Sequence, residues 1–134
     1  MILVDTSVWI DLFGKNPKCR LDPTNLKQIA TCPIIIQEVL QGIKNDKAYF
    51  TIKESLLALP IYGSPLHIDL FISASELYRT GRKRGLTIRS SVDCLIAAIA
   101  LQNRLTIWHQ DRDFMEIAKF TSLDVLNGRA LKSG

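Results

Sequence analysis

The stretch MILVDTSVWIDLFG, residues 1–14, decides the fold class, because within it a strand pattern gives way to a helix pattern. Residues 1–4 form a short apolar run that is typical of a buried strand, and Asp5 follows it at once. From Ser7 to Phe13 the pattern predicts a helix, which Gly14 ends. A strand that leads through a polar turn into a helix indicates the start of an α/β protein.

Strand and helix patterns alternate along the rest of the chain. A buried strand is predicted at 33–36, further strands at 59–62 and 105–108, and an edge strand at 123–126. Helices are predicted over 25–31, 38–42, 46–58, 66–84, 92–101 and 115–120, with Gly85 in the left-handed conformation after the longest of them. This order predicts an α/β fold with a central, mostly parallel sheet of four to five strands flanked by helices. The last residues, 132–134, are predicted to fray.

Length and composition set the broad class of the protein. We expect the 134 residues to form one domain, 1–134, because this length is typical of a single core. No apolar run approaches the about 20 residues of a membrane span, and no basic leader precedes the first strand, so we expect a cytoplasmic protein without a membrane partner. Three cysteines without a C-x-x-C pair fit a reducing compartment. The net charge of +4 permits a nucleic-acid partner.

Acidic residues follow three of the predicted strands. Asp5 follows the first strand, Glu38 follows the second by two residues, and Asp111 follows the strand at 105–108 by three. Sites in parallel α/β sheets lie outside the carboxyl ends of the strands, so these three carboxylates are predicted to meet there. Each also has a structural interpretation, as a helix cap, a partner of the helix dipole or a turn residue. That interpretation is weaker for the set than for any single member.

A fourth acid, Asp93, is predicted to face inward. The positions three, four and seven residues further along its helix are apolar, namely Ile96, Ala97 and Ala100. A carboxylate on such a face needs a partner, a cap or a metal ion, because an isolated buried charge is costly. The alternative is that Asp93 interacts with the dipole in the first turn of its helix.

Four converging carboxylates predict a bound cation. At an effective dielectric constant near 20, each close pair repels by up to about 4 kcal/mol, so a positive charge must hold the cluster together. Oxygen ligands without His or Cys at ligand spacing favour Mg²⁺ or Mn²⁺ over zinc. Such a site activates water and neutralises charge in phosphate chemistry.

Four motifs in the chain are similar to those of a known family. They are VDTSVWI at 4–10, Glu38 with Gly42 four residues later, DCLIAA at 93–98 and DRDF at 111–114. In this order and at these spacings, the chain resembles the PIN-domain ribonucleases, and most closely the VapC-type toxins of prokaryotic toxin–antitoxin pairs. The resemblance covers essentially the whole chain.

The resemblance implies a PIN-like three-layer sandwich and a metal-dependent endoribonuclease. In this mechanism a metal-activated water attacks the scissile phosphorus and leaves a 5′-phosphate and a 3′-hydroxyl. The implied catalytic and metal-binding residues are Asp5, Glu38, Asp93 and Asp111, with Asp113 as a further candidate ligand and Thr6 or Ser7 in support. The implied cofactor is Mg²⁺ or Mn²⁺, and the implied partners are RNA such as tRNA or ribosomal RNA, a cognate antitoxin and a second copy of the chain. The family usually has Thr where this chain has His109, whose role the sequence leaves open.

An acid-free basic stretch precedes Asp93. Its members are Arg79, Arg82, Lys83, Arg84 and Arg89. The functional interpretation is contact with the RNA backbone. The alternative is that residues 82–84 complement the dipole at a helix C-terminus, and the two roles are compatible.

Other functions fit the sequence less well. A phospho-acceptor receiver module needs an Asp after its third strand, and residues 59–64 contain none. A phosphatase of the Asp-x-Asp class is excluded because Ser7 occupies the second acidic position. A PIN-like module that binds RNA or protein without cleaving it stays open, although the presence of all four acids argues against it.

Overall fold

The computed structural model of the chain describes residues 1–131, and its centre is a sheet of four parallel strands. Across the sheet they lie in the order β2 (Ile29–Ala30), β1 (Ile2–Val4), β3 (Thr106–Trp108) and β4 (Asp124–Leu126). The first strand of the chain is therefore central, with Ile2 paired to Ile29 on one side and to Thr106 on the other. The predicted α/β class, with a parallel sheet between helices, is confirmed.

Six helices in the described residues flank this sheet. They are α1 (Thr6–Leu12), α2 (Pro33–Gln41), α3 (Asp46–Leu57), α4 (Ile68–Lys83), α5 (Ser91–Asn103) and α6 (Arg112–Ala118). The predictions for α1 and α3 to α6 are confirmed within a few residues at each end. Gly85 follows α4 with a φ of 73°, as predicted for the left-handed residue after a helix. The predicted fraying of 132–134 concerns residues outside the described part of the chain.

The core lies between the sheet and α5. From the sheet, Leu3, Val4 and Ile107 are fully buried, and Ile96 and Ile99 of α5 are fully buried against them. Helix α5 also packs along α4, and it is apolar on nearly all sides because it is enclosed. Within residues 1–131, no helix is both long enough and apolar enough to cross a membrane.

The predicted strand at 33–36 and the predicted helix at 25–31 are both wrong. Residues 33–36 form the first turn of α2, and the second strand is the two-residue segment Ile29–Ala30. A short apolar run has the same pattern in a buried strand and in a buried helix, and Ile35 is fully buried here. Pro33 favours the helix, because the first helical position needs no backbone N–H.

The predicted strand at 59–62 is reduced to a single bridge. Thr31 donates its backbone N–H to Pro60 and accepts from the backbone N–H of Tyr62, at 3.0 and 2.9 Å. Pro60 has no N–H to donate, which limits the pairing to this one site. The sheet therefore has four strands.

Candidate active site

Asp5 lies at the carboxyl end of the central strand β1, as predicted, and it caps α1. Its Oδ2 accepts hydrogen bonds from the backbone N–H of Ser7 at 3.0 Å and from Ser7 Oγ at 2.6 Å. The residue is only 3% exposed, and this burial raises the pKa of Asp5 above its usual value although the Ser7 bonds oppose the shift. The charge of Glu38 raises it further.

Glu38 reaches the same place from α2. The prediction that Glu38 follows a strand is wrong, because residues 33–36 are helical. Glu38 lies in the second turn of that helix. Thr6 Oγ1 donates a 2.8 Å hydrogen bond to Glu38 Oε1, which holds the carboxylate beside the end of β1. Of the two predicted supporting residues, Ser7 contacts the first acid and Thr6 contacts the second.

Three further acids meet where α5 and α6 begin. Asp93 is in the first turn of α5, Asp111 caps α6, and Asp113 is in the first turn of α6. Each offers one carboxylate oxygen, and these three atoms lie within 4.8 Å of one another. Asp93 faces inward as predicted and is 9% exposed.

Asp113 binds the segment that leads into α5. Its two carboxylate oxygens accept the backbone N–H groups of Arg89 and Ser90, each at 2.9 Å. Its backbone N–H donates to Asp111 Oδ1, also at 2.9 Å, and its side chain is 1% exposed. Asp113 thus connects the start of α6 to the start of the helix that bears Asp93.

His109 supports the Asp111 loop from inside. Its Nδ1 accepts the backbone N–H of Asp111 at 3.2 Å, and its ring contacts Phe114 with centroids 5.5 Å apart. It is 1% exposed, so it has no surface to offer a substrate. Burial lowers the pKa of His109, which favours the neutral ring that this hydrogen bond requires.

One connection in the site involves a residue that the sequence analysis did not select. The backbone N–H of Gln110 donates to Ser7 Oγ at 3.0 Å, and Ser7 in turn donates to Asp5. This chain of bonds joins the loop before Asp111 to the end of β1. The two bonded residues are 103 positions apart, and no local sequence pattern reports such a contact.

The acids of the site are not neutralised by basic side chains. The ion pairs found within residues 1–131 join Arg112 and Lys119 to Glu116, and none involves an acid of the site. Burial raises the pKa of Asp93 to about 9, and the nearby carboxylates of Asp113, Asp5 and Asp111 add to the effect. Carboxylate oxygens that no basic side chain neutralises are suitable ligands for a hard divalent cation. The residues that could hold it are Asp5, Glu38, Asp93, Asp111 and Asp113.

The basic stretch does not form one cluster. All five residues are exposed, and Arg82 and Lys83 lie in the last turn of α4, where they complement the helix dipole. Arg79 and Arg82 line a groove between α4 and α5. Arg84 instead lies over the ring of Phe120, with its guanidinium carbon 5.9 Å from the ring centroid.

Comparison with known protein families identifies the family to which the chain belongs. The sequence model of the PIN domain family matches residues 2–120, a range that includes every acid of the site. The chain belongs to the PIN domain family. In a PIN domain, a carboxylate cluster of this kind implies the use of a divalent metal ion.

This PIN domain is similar in sequence to a named ribonuclease and similar in fold to solved toxin–antitoxin structures. It is similar to Ribonuclease VapC11 of Mycobacterium tuberculosis, with 36% identity over 135 residues that cover 96% of this chain and 100% of the relative. A toxin–antitoxin complex from Klebsiella pneumoniae has a similar fold, with a TM-score of 0.70, 22% identity, and coverage of 95% of this chain and 97% of that one. The VapBC-5 system of Mycobacterium tuberculosis gives a TM-score of 0.67 at 21% identity, with 92% and 95% covered.

Proposed function

We propose that this PIN domain is the toxin of a toxin–antitoxin pair and acts as a Mg²⁺- or Mn²⁺-dependent endoribonuclease. The observation that supports this most directly is the set of buried carboxylates without basic partners at the carboxyl ends of β1 and β3. The similarity to a ribonuclease over 96% of the chain supports it independently.

The proposed roles follow from the contacts of each side chain. Asp5, Glu38, Asp93 and Asp111 would hold the cation, and Asp113, which lies in one cluster with Asp93 and Asp111, is a further candidate ligand. When bound, the cation lowers the pKa of water and neutralises negative charge on the phosphate. Ser7 orients Asp5, and Thr6 orients Glu38, through the hydrogen bonds described above. No nucleophilic side chain is needed, because water is the attacking group.

The substrate is RNA, and structured RNA such as tRNA or ribosomal RNA is the proposed target. The basic residues that would contact its phosphates are Arg79, Arg82, Lys83, Arg84 and Arg89. They are exposed and unpaired with acids within residues 1–131, so their positive charge is available to a polyanion. We propose that they supply affinity and not the chemical step.

Two protein partners complete the proposal. A cognate antitoxin would inhibit the enzyme, and a basic side chain inserted among the unneutralised carboxylates would compete with the cation. The chain is proposed to form a homodimer and to act in the cytoplasm.

Cleavage of RNA by the purified protein tests this function. We expect cleavage with Mg²⁺ or Mn²⁺, none in excess EDTA, and none with Asp93→Asn in either metal. Mapping of 5′ ends after a brief pulse of expression would then identify the RNA and the bond. If the wild-type protein binds RNA but leaves it intact with both metals, the chain is a binding module instead.

A further inference from the structure

Gln110, the residue before Asp111, is bonded to two different parts of the chain. Its backbone N–H donates to Ser7 Oγ, as described above. Its side-chain Nε2 donates to the backbone carbonyl oxygens of Asn127 at 3.0 Å and of Gly128 at 3.2 Å. Gln110 therefore connects the Asp111 loop both to the end of β1 and to residues 127–131, the segment after β4.

The side-chain amide of Gln110 lies among three carbonyl oxygens. The third belongs to His109, and it is 3.0 Å from Nε2. An amide nitrogen has two N–H groups, so one of them is shared between two acceptors. Because carbonyl oxygens only accept hydrogen bonds, this position requires a donor. A side chain of the same length without an N–H group cannot make the connection.

Backbone pairing does not join the Asp111 loop to the segment after β4. Beyond the end of β3, the backbone N–H of His109 donates to the carbonyl oxygen of Leu126 at 2.8 Å. Within residues 1–131, no backbone–backbone hydrogen bond links Gln110 or Asp111 to the segment after β4. The side chain of Gln110 therefore supplies this connection.

The segment after β4 is itself held in place. The Nε1–H of Trp108 donates to the carbonyl oxygen of Gly128 at 2.7 Å, and the backbone N–H of Arg20 donates to that of Arg129 at 2.6 Å. Leu131 is 7% exposed and packs in the core. The segment lies beyond residues 2–120, which match the family model. It gives Gln110 a fixed support from outside that range.

The proposed metal site needs such support at Asp111. Without a basic partner, the clustered carboxylates of Asp93, Asp111 and Asp113 repel one another when they are charged and no cation is bound. Asp111 is the N-cap of α6, so the backbone on one side of it is a loop rather than a helix. If that loop can move, part of the free energy of metal binding is spent on ordering it again.

We propose that Gln110 is a positioning residue of the acidic site, whose amide fastens the Asp111 loop to Asn127 and Gly128 and so keeps the Asp111 carboxylate where it can bind the cation. This inference rests on the proposed function and adds to it a residue that acts through Asp111. The Gln110 side chain is exposed, so water can replace its amide at the carbonyl oxygens. Loss of the amide therefore affects the fold little, but water does not hold the loop to the segment.

The test measures Mn²⁺ binding to the full chain by calorimetry, in the absence of RNA. Gln110→Met has a side chain of similar length without a donor, and it should weaken Mn²⁺ binding about 2- to 10-fold, as expected for the loss of one hydrogen bond. Its melting temperature in EDTA should stay close to that of wild type. Gln110→Lys offers three donors to the carbonyl oxygens and should bind Mn²⁺ more tightly than Gln110→Met. Its positive charge alone would act in the opposite direction.

The matched control is Gln102→Met. Gln102 is also an exposed glutamine, but it lies near the end of α5 opposite to Asp93, and its replacement should leave Mn²⁺ affinity unchanged. A second variant loosens the segment from its other side. Leu131→Ala should weaken Mn²⁺ binding, and Gln110→Met should have a smaller effect in that background than in wild type, because the two residues act through one segment.

Two results would overturn the positioning role. Equal Mn²⁺ affinity in wild type and Gln110→Met means that the residue is only structural, even if the variant melts at a lower temperature. Equal losses in Gln110→Met and Gln110→Lys mean that the donor is not what matters.

The ribonuclease function is judged separately, by cleavage of RNA with Mn²⁺. If the wild type cleaves and Gln110→Met binds Mn²⁺ equally well, only the positioning role fails. If the wild type binds Mn²⁺ but leaves RNA intact, the ribonuclease function fails, and calorimetry still decides the role of Gln110. If the wild type binds no Mn²⁺, both proposals fail.

Discussion

Thr6 Oγ1 donates a hydrogen bond to Glu38 Oε1 across 2.8 Å, and this contact joins α1 to α2 at the acidic site. Because the acceptor is a carboxylate and the pair is partly buried, the bond contributes about 1–2 kcal/mol to stability. Thr6→Val should lower the melting temperature and weaken Mn²⁺ binding in calorimetry, whereas Thr6→Ser should keep both near wild type. Equal Mn²⁺ affinity in all three proteins would show that Thr6 does not position Glu38.

Removing one charge from the acid cluster should abolish cleavage and stabilise the metal-free fold. In the absence of a cation, burial disfavours the charged form of Asp5 and Asp93 and neighbouring carboxylates add to this cost, so a neutral amide removes both contributions. Asp5→Asn and Asp93→Asn should therefore melt at a higher temperature than wild type in EDTA and show no cleavage in Mn²⁺. Full ribonuclease activity in either variant would contradict the proposed site.

The metal-free protein should lose stability as the pH rises. In the folded chain the pKa of Asp93 is about 9, against 3.8 for the exposed residue, so between these values the folded state binds a proton that the unfolded state does not. Asp93 thus favours folding least at high pH and most below about pH 4. Urea unfolding in EDTA from pH 5 to pH 9 should show the decline, with a shallower slope for Asp93→Asn. If the free energy of unfolding rises from pH 5 to pH 9 in the wild type and not in Asp93→Asn, the raised pKa of Asp93 is refuted.

Replacing Asp113 by Asn should destabilise the metal-free protein, whereas the same change at Asp93 should stabilise it. Its two oxygens accept two backbone N–H groups, and an Asn side chain has one acceptor oxygen for them. Asp113→Asn should therefore lower the melting temperature in EDTA, with a loss of about 1–3 kcal/mol for the unpaired buried amide. A stabilised variant would mean that repulsion among the acids outweighs these two bonds.

The sequence predicted those parts of the site that depend on local pattern. Asp5 follows a run that is apolar in four successive positions, and Asp93 heads a helix whose inward face is apolar, so burial could be inferred for both. The central position of β1 in the sheet could not be inferred from the sequence, because strand order depends on pairing with residues about a hundred positions away.

Other parts could be found only in three dimensions. The β-branched run at 34–36 predicted a strand before Glu38, although these residues follow Pro33 in the first turn of α2. The Gln110 bond to Ser7 follows from tertiary packing, as does the separation of Arg79 and Arg82, at the groove between α4 and α5, from Arg84, over Phe120. The motif order nevertheless selected Glu38, which accepts a hydrogen bond from Thr6 at the end of β1 although the predicted element was wrong.

Because β1 pairs with β3, the proposed active site needs residues from both ends of the described fold, and this determines when during synthesis the enzyme can become active. Asp111 and Asp113 are added to the growing chain more than a hundred residues after Asp5. At about 5–20 residues per second, the growing chain therefore spends several seconds or more without a complete set of acids. The ribosome that makes this protein is therefore not exposed to the proposed cleavage chemistry until Asp111 and Asp113 have been translated.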